Sequence, residues 1–291
     1  MTKQTYTELP HSGAFIVRGA DRVDFVQGQL ANDVRNIPIG EAVRSLALNL
    51  RGQALADVNV IETGEEFCLV VEDNMRDWLM ASFDQHIIFD QVELVPLDAV
   101  MHFTMQGPGA SELRNDLLAA GATHVWSRAR TEHGGIDVLV PDTEAAAVVA
   151  VASSAGFSHT SMEEHTAQRI LAGLPLAAQD GGEGVLPQEA GLESALSYRK
   201  GCYLGQEIMA RIEARGNLRR ELATLVVPCG NAVPDRANIT NEDGRNVGRV
   251  GSQAPLPDGR RVVLAVIRND LDDAVQLNVD GISLERYQPN S

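Results

Sequence analysis

The chain has 291 residues, and its 40 acidic and 24 basic side chains give a formal net charge of −16. Such an excess of negative charge repels nucleic acids and anionic membranes at long range, so we expect no direct contact with nucleic acid and no membrane partner. The hydrophobic share of 44% and the charged share of 22% are typical of a folded globular chain, and the length corresponds to two or three domains.

The first 160 residues predict two domains. Residues 1–97 predict an α+β domain with strands over 14–17, 43–50, 54–61 and 67–71, one helix after Asp21 and another that contains Trp78. Residues 98–160 predict the order β-α-β-β-α-β of a ferredoxin-like domain. Its strands are expected over 100–105, 123–127, 135–140 and 157–160, and its helices over 110–120 and 143–155.

Residues 161–218 predict a connecting region, and residues 219–291 predict a small β-barrel or sandwich. Ser161 and Glu164 match a capping box at the start of a helix. The irregular, glycine-rich stretch 177–197 is typical of a long surface loop, and 206–214 predicts a further helix. The final strands are expected over 222–227, 237–240, 246–250, 261–267, 274–279 and 282–284.

Cellular location and cysteine content can also be inferred from the sequence. The amino-terminal residues have no apolar signal core, and the longest apolar run, 145–152, is too short to span a membrane, so we expect a cytoplasmic protein. Cys68, Cys202 and Cys229 form no Cys-x-x-Cys pair, and the histidines form no HExxH motif. These absences argue against a disulfide framework and against a metal site.

Residues 198–207 combine several chemically reactive side chains. Gly201 and Gly205 flank Cys202, Lys200 lies beside it, and the amino end of the predicted helix 206–214 follows. A thiol near cations and a helix amino end ionises more readily than a free cysteine, so Cys202 is a candidate nucleophile or redox thiol. The alternative, that Cys202 is a small buried hydrophobic residue at a turn, stays open. Cys68 and Cys229 are expected to be core or structural residues.

Residues 198–220, which we call the basic island, carry an excess of positive charge within an acidic chain. Two acidic residues, Glu207 and Glu213, accompany six basic ones, so the net charge of the island is +4; the basic residues are Arg199, Lys200, Arg211, Arg215, Arg219 and Arg220. Such an island suits a polyanionic tail, an RNA backbone or an acidic partner. A solvated helix face with intramolecular salt bridges is the alternative interpretation.

The segment 200–207, Lys-Gly-Cys-Tyr-Leu-Gly-Gln-Glu, matches the signature KGCYxGQE and resembles the YgfZ-type folate-binding proteins. These proteins are relatives of the glycine cleavage T-protein, an aminomethyltransferase. Other segments similar to the family are 25–30, 32–33, 186–189, 210–211 and 215–216, so the resemblance extends over nearly the whole chain.

The resemblance implies a T-protein-like α+β fold, with a ferredoxin-like middle domain, a carboxy-terminal barrel and a first domain completed by part of 161–215. It implies a central cavity for tetrahydrofolate or another folate derivative. The implied function is support of iron–sulfur cluster assembly or repair, with an indirect effect on tRNA modification by iron–sulfur enzymes. The expected partners are therefore folate and iron–sulfur assembly proteins or client enzymes.

The resemblance also implies roles for individual residues. The catalytic candidates are Cys202 as the reactive thiol, Lys200 as the cation that lowers its pKa, and Asp57 as an acid or base. The expected folate-binding residues are Asp57, Glu189, Tyr203, Gln206, Glu207, Arg211 and Arg215.

Two departures from the T-protein pattern bear on the reaction. Ala56 stands where T-proteins have a second carboxylate, and Leu171 stands where they have a glutamate that holds the pterin. Loss of a polar anchor argues against aminomethyl transfer to tetrahydrofolate. A tetrahydrofolate-dependent aminomethyltransferase or demethylase is the alternative function, and a binding module without chemistry is a third.

Overall fold

The computed structural model describes residues 3–72, 74–216 and 218–288, and for 212–215 it describes the backbone only. Within these ranges the chain forms two five-stranded sheets and a closed barrel of six strands. No helix in the described ranges is long and apolar enough to cross a bilayer.

The regular elements are numbered in chain order. The strands are β1 (Thr5–Glu8), β2 (Gly13–Arg18), β3 (Ala42–Leu48), β4 (Ala54–Glu62), β5 (Phe67–Val71), β6 (Glu93–Leu97), β7 (Val100–Gln106), β8 (His124–Ser127), β9 (Gly135–Pro141), β10 (Ser158–His159), β11 (Arg220–Val227), β12 (Asn238–Thr240), β13 (Asn246–Pro255), β14 (Arg261–Arg268), β15 (Leu277–Val279) and β16 (Ile282–Arg286). The helices are α1 (Arg22–Gln29), α2 (Arg76–Asp84), α3 (Arg114–Ala119), α4 (Ala145–Ser154), α5 (Met162–Leu171), α6 (Ala177–Asp180) and α7 (Gln206–Arg215).

The first sheet has the strand order β3-β4-β5-β2-β6, with antiparallel neighbours throughout. One of its faces is covered by α1 and α2, and the core between them contains Phe15, Phe25 and Phe83. Phe83 meets the rings of Phe25 and Phe15 edge to face, at centroid distances of 5.5 and 6.0 Å. This packing supplies the apolar burial that holds both helices on the sheet.

The second sheet has the strand order β10-β1-β7-β9-β8, with α3 and α4 on one face. The predicted ferredoxin-like order is confirmed in β7, α3, β8, β9, α4 and β10. The chain's first strand, β1, lies between β7 and β10, antiparallel to β7 and parallel to β10. It therefore belongs to this sheet, whereas the rest of residues 1–97 builds the first sheet.

The remaining faces of the two sheets pack against each other. Part of this contact is apolar and contains Ile16 and Cys68 of the first sheet with Trp126 and Leu139 of the second. The other part, which we call the inter-sheet layer, contains buried or nearly buried charged side chains; its members are Arg44, Asp57, Glu72, His102, Arg128, Arg130 and Asp137. Buried ions are stable only when they are paired, so this layer constrains how the sheets can pack.

The carboxy-terminal barrel closes in the order β11-β14-β13-β12-β15-β16, and β16 pairs with β11. Helix α5 packs on this barrel through Ala167 and Ile170, which contact Val262 and Leu264. The predicted capping box is confirmed, because the Ser161 hydroxyl accepts a hydrogen bond from the Glu164 amide at 3.2 Å.

The prediction that 177–197 is a surface loop is wrong. Ala177, Ala190, Leu192 and Ala195 are fully buried in a core cluster with residues of β3 and α7. The segment has little regular structure, yet its small apolar side chains fill the space between the first sheet and the barrel. Irregular sequence was therefore a poor indicator of exposure here.

Candidate functional site

The signature segment 200–207 lies against the end of α1 and the loop that follows it. The Leu204 amide donates to the Gly28 carbonyl at 3.2 Å, and the Ser197 amide donates to the Ala31 carbonyl at 2.9 Å. Residues 25–33 and 200–207 both resembled family segments in the sequence, and the structure brings them into contact.

Lys200 is the strongest tie between these segments. Its buried ammonium donates to the carbonyl oxygens of Leu30 at 2.6 Å and Asn32 at 2.8 Å, and it lies 4.9 Å from the centre of the Tyr203 ring. Burial lowers the pKa of Lys200 to about 8, although the carboxylate of Asp33 opposes this shift. The ammonium therefore holds the signature segment against the loop after α1. Its expected lowering of the Cys202 pKa stays a prediction.

The start of α7 packs very closely on the β3–β4 hairpin. Gly205 has a φ of +85°, and a Cβ at this position would lie 2.9 Å from the Asn49 carbonyl oxygen. Gly52 has a φ of +72°, and its Cβ would lie 2.6 Å from the terminal carbon of Met209. Only glycine fits either position without moving its neighbours, so the contact fixes where α7 begins.

Cys202 is exposed between these two attachment points. Cys68 is buried as expected, and burial raises the pKa of its thiol to about 12. Cys229, which was expected to be a core or structural residue, is not in the core: its side chain is exposed, with the sulfur 3.4 Å from the Asp258 carbonyl oxygen. Pro228 follows the last residue of β11, so Cys229 lies beyond the barrel wall.

Asp57 lies elsewhere, in the inter-sheet layer. One carboxylate oxygen accepts a hydrogen bond from Arg44 Nε at 2.5 Å, and the other accepts one from the Ala177 amide at 2.5 Å. The side chain is fully buried. Both oxygens are thus engaged by groups of the protein itself, which leaves Asp57 little freedom to exchange a proton with a ligand.

Arg130 is at the centre of the inter-sheet layer. Its guanidinium donates to Glu72 of the first sheet at 2.9 Å and to Asp137 of the second sheet at 2.6 Å. Burial alone would raise the pKa of Glu72, but the charges of Arg130 and Arg128 outweigh it and lower that pKa. Arg128 lies 3.6 Å from Glu72, and burial together with Arg44 and Arg130 lowers the pKa of Arg128 to about 10.

A small chamber of about 60 Å³ adjoins this layer beside α5. His165 lines it and is buried, with no hydrogen-bond partner for Nδ1 in the described part of the chain. Burial, with the positive charges of Arg130 and Arg169, lowers the pKa of His165 to about 3. The chamber has room for a few water molecules and is far smaller than the 300–1,000 Å³ typical of ligand pockets.

A much larger cleft of about 890 Å³ separates residues 183–189 from the barrel. Glu189 lines it, and the two carboxylate oxygens of this buried residue accept hydrogen bonds from the amides of Leu186 and Arg219 at 3.2 and 3.3 Å. The cleft is also lined by four arginines, Arg219, Arg220, Arg249 and Arg268. Two of them belong to the basic island, and the others come from barrel strands.

The structure distributes the predicted site residues over three places. Asp57 lies in the inter-sheet layer and Glu189 in the cleft. The signature segment and α7 hold the others. Lys200 and Tyr203 are buried and Gln206 is half-buried; the exposed ones are Cys202, Glu207 and Arg211. The side chain of Arg215 lies outside the described part of the structure. Arg130, Arg249 and Arg268 were not anticipated, because nothing in their local sequence distinguishes them from surface arginines.

Comparison with known proteins agrees with this architecture. Residues 2–144 match the family model of the GCVT N-terminal domain. The chain is 27% identical over 271 residues to the tRNA-modifying protein YgfZ of Klebsiella pneumoniae (strain 342), which covers 88% of this chain and 83% of the relative. It is 26% identical over 292 residues to the tRNA-modifying protein YgfZ of Yersinia enterocolitica, which covers 93% of this chain and 87% of the relative.

A solved structure has the same fold. The glycine cleavage system aminomethyltransferase T from Bartonella henselae superposes with a TM-score of 0.78 over 98% of this chain and 85% of that chain. The sequence identity is 18%, so this likeness shows the fold alone. The predicted T-protein-like fold is confirmed.

Proposed function

We propose that this chain, a homologue of the YgfZ proteins with a GCVT N-terminal domain, binds a folate derivative and supports tRNA modification by iron–sulfur enzymes, with Cys202 as its reactive thiol. The relatives carry the name tRNA-modifying protein. The net charge of −16 disfavours a long-range attraction to tRNA, which supports an indirect role through iron–sulfur assembly proteins or client enzymes.

The exposure of Cys202 is the observation that carries this proposal. The thiol lies two residues after the tether of Lys200 and three residues before the close contact of Gly205 with the β3–β4 hairpin. Its backbone is therefore held on both sides while the sulfur faces solvent. A thiol held in this way is available to a partner at little cost in conformational entropy.

The alternative function, a tetrahydrofolate-dependent aminomethyltransferase or demethylase, is not favoured. It relies on Asp57 as acid or base, and both oxygens of that buried carboxylate are bound by Arg44 and the Ala177 amide. A group that transfers protons needs its own hydrogen-bond access to the substrate. The inter-sheet layer gives Asp57 a structural role instead.

The test is complementation of a bacterial strain that lacks its own YgfZ, with methylthiolated adenosine in tRNA measured by mass spectrometry. Cys202→Ser is compared with Cys229→Ser, because both cysteines are exposed and only one lies in the signature segment. Cys202→Ser should reduce the modification to the level of the empty strain, whereas Cys229→Ser should match wild type. Both substitutions at exposed positions should change the free energy of unfolding by less than about 0.5 kcal/mol.

Two outcomes would overturn the proposal. One is failure of the wild-type chain to restore the modification, and the other is full activity of Cys202→Ser at wild-type abundance. Alkylation of the native proteins with iodoacetamide serves as a control of accessibility, because Cys202 and Cys229 should react and buried Cys68 should not.

A further inference from the structure

Several large apolar side chains are exposed in the described part of the chain, and one of them lies beside the signature segment. Leu50 is 78% exposed at the tip of the β3–β4 hairpin; the others are Ile39, Trp78, Ile88, Phe89 and Leu118. The same hairpin packs on the start of α7, where a Cβ on Gly205 would lie 2.9 Å from the Asn49 carbonyl oxygen. Leu50 therefore adjoins the segment that carries the exposed thiol.

The hairpin tip holds the backbone of Leu50 in place. The side-chain oxygen of Asn49 accepts hydrogen bonds from the amides of Arg51 and Gln53 at 2.9 and 3.0 Å, and its side-chain nitrogen donates to Gln53 Oε1 at 2.8 Å. The Gly52 amide donates to the Asn49 carbonyl at 2.8 Å. A side chain on a backbone ordered in this way loses little conformational entropy when a partner covers it.

Exposed arginines lie on the same segments. Arg51 follows Leu50, Arg199 precedes the signature segment, and Arg211 lies on α7. Their guanidinium groups form no ion pair and no hydrogen bond within the described residues. In 49–52 and 199–211 the acidic residue is Glu207, so positive charge is in excess. Because screening limits distant charges to a reach of about 8 Å at physiological ionic strength, this local excess attracts an acidic surface despite the net charge of −16.

These groups fit within one protein–protein contact. Asn49 touches Gly205, and Cys202 precedes Gly205 by three residues, so at most about 10 Å of extended chain separates Cys202 from this contact. An interface of standard size covers about 800 Å² on each partner, which is about 30 Å across. A partner seated on Leu50 therefore has the reach to contact the Cys202 thiol.

The composition of this surface favours a protein over RNA. Proteins that bind unpaired bases use aromatic side chains as stacking platforms. Residues 49–52 and 199–211 contain one aromatic residue, Tyr203, and it is buried beside Lys200. Interfaces between proteins are enriched in arginine and are anchored by apolar side chains that fill pockets, which matches Leu50 with its neighbouring arginines.

We propose that Leu50, Arg51, Arg199 and Arg211 form a docking surface for an acidic protein partner, with Leu50 inserted into an apolar pocket of that partner. The inference rests on the proposed function and adds to it the surface chemistry of the partner and the part of this chain that recognises it. Leu50 supplies affinity by burial, and the arginines orient the partner and raise its association rate.

The first experiment uses the complemented strain, with the chain expressed from a single chromosomal copy. Leu50→Ser should lower methylthiolated adenosine about two- to tenfold. Leu50→Met should keep the wild-type level, because it retains an apolar anchor.

Phe89→Ser is the matched control. Phe89 is 96% exposed, and its loop lies at the start of α1, where the Gln91 amide donates to Asp21 at 2.7 Å. The signature segment contacts the opposite end of that helix. Phe89→Ser should therefore match wild type, and an equal loss in Phe89→Ser and Leu50→Ser would overturn the docking surface.

Charge reversal tests the arginines. Arg51→Glu combined with Arg211→Glu should also lower the modification about two- to tenfold, whereas Arg245→Glu, at an exposed barrel position, should match wild type. Alkylation of Cys202 by iodoacetamide in the native Leu50→Ser protein should proceed at the wild-type rate. This rate separates loss of docking from loss of the thiol, and a slower rate would overturn the assignment of Leu50 to docking.

Replacing Leu50 with the photo-crosslinking residue p-benzoylphenylalanine identifies what covers the surface in the cell. The expected adduct is with another protein, through a segment in which acidic residues outnumber basic ones. An adduct with RNA or with a second copy of this chain would overturn the proposal. Wild-type modification by both Leu50→Ser and the double arginine variant would also overturn it.

These outcomes are distinguishable from failure of the proposed function. If the docking variants are fully active while Cys202→Ser is inactive, the docking surface is overturned and the proposed function stands. If the wild-type chain does not restore the modification, the proposed function itself is overturned.

Discussion

The inter-sheet layer and the cleft both contain arginines and carboxylates, but they use them differently. In the layer, Arg130 is bound on both sides by buried acids. In the cleft, Arg219 is exposed without a partner in the described residues, and the buried carboxylate of Glu189 accepts two amide hydrogen bonds of 3.2 and 3.3 Å and lies 3.8 Å from Arg220 Nη1. The comparison indicates that the tightly paired cluster stabilises the fold, whereas the arginines of the cleft are held less closely and contribute less to stability.

This distinction bears on Asp57, which the family resemblance suggests as an acid or base. Asp57 stands at a position associated with chemistry, yet its contacts are those of a structural residue. Residue identity alone cannot separate these roles, because an aspartate in an ion pair and a catalytic aspartate look the same in a sequence. Burial and partners separate them.

Removing the central cation of the layer should have the largest effect. Arg130→Met leaves Glu72 and Asp137 buried without their main partner, which should lower the free energy of unfolding by about 3–5 kcal/mol. Urea denaturation measures this loss. Arg260→Met is the control, because its pair with Asp258 lies in solvent and its loss should have a far smaller effect on stability. Similar losses in both variants would contradict the structural role of the layer.

The second prediction concerns pH and His165. The unfolded chain protonates this histidine below its ordinary pKa of 6.5, whereas the folded chain resists protonation down to about 3, because burial and the charges of Arg130 and Arg169 lower the pKa. Stability is therefore lost as the pH falls through this window, with a slope that approaches about 1.4 kcal/mol per pH unit and a loss of about 1.6 kcal/mol from pH 6.5 to 5.

Denaturation of wild type and His165→Gln at both pH values tests this. Glu72 and Asp137 face the same region, but the pKa of each is lowered in the fold, so their contributions are lost only in more acidic solution. The substitution should remove the share of the difference between pH 6.5 and 5 that belongs to His165. Burial also lowers the pKa of His124, so a further share stays in both proteins. An unchanged difference would show that His165 is already protonated in the folded protein.

The third prediction concerns the tether of the signature segment. Lys200→Met keeps the apolar stem but leaves the carbonyls of Leu30 and Asn32 without their donor, at a cost of about 1.5 kcal/mol. Because the segment loses its fastening, amide exchange in 198–204 should accelerate more than exchange in the barrel. Uniform acceleration along the chain would contradict a local tether. Lys3→Met, on an exposed lysine, is the control.

The sequence predicted much of the fold because local patterns determine much of it. The ferredoxin-like order in 98–160 follows from short apolar runs separated by helical spacing, and those elements form as expected. Two strands, β6 and β1, were not predicted. β6 contains Pro96, which weakens any strand pattern and is tolerated because β6 is an edge strand that pairs only with β2 among the described strands.

β1 was missed for a different reason. It is four residues long, and its partners in β7 and β10 are about 100 and 150 positions away, so nothing near it in the sequence marks it as a strand. β1 can be recognised as a strand only from its pairing with β7 and β10, and local sequence patterns carry no information about such distant partners.

The site was harder to predict than the fold. Asp57 and Asp137 lie between apolar residues of their strands, and a charged residue in such a position usually faces water. Here the polar faces of two sheets meet each other. The signature segment was recognised correctly, but the contacts of Lys200 with Leu30 and Asn32 join residues 170 and 168 positions apart and could not be foreseen.

Mass-spectrometric measurement of methylthiolated adenosine in the complemented strain tests most directly whether Cys202 is the reactive thiol. The account predicts loss of the modification with Cys202→Ser and the wild-type level with Cys229→Ser, because both cysteines are exposed and only Cys202 lies in the signature segment. Full modification with Cys202→Ser at wild-type abundance would contradict the account.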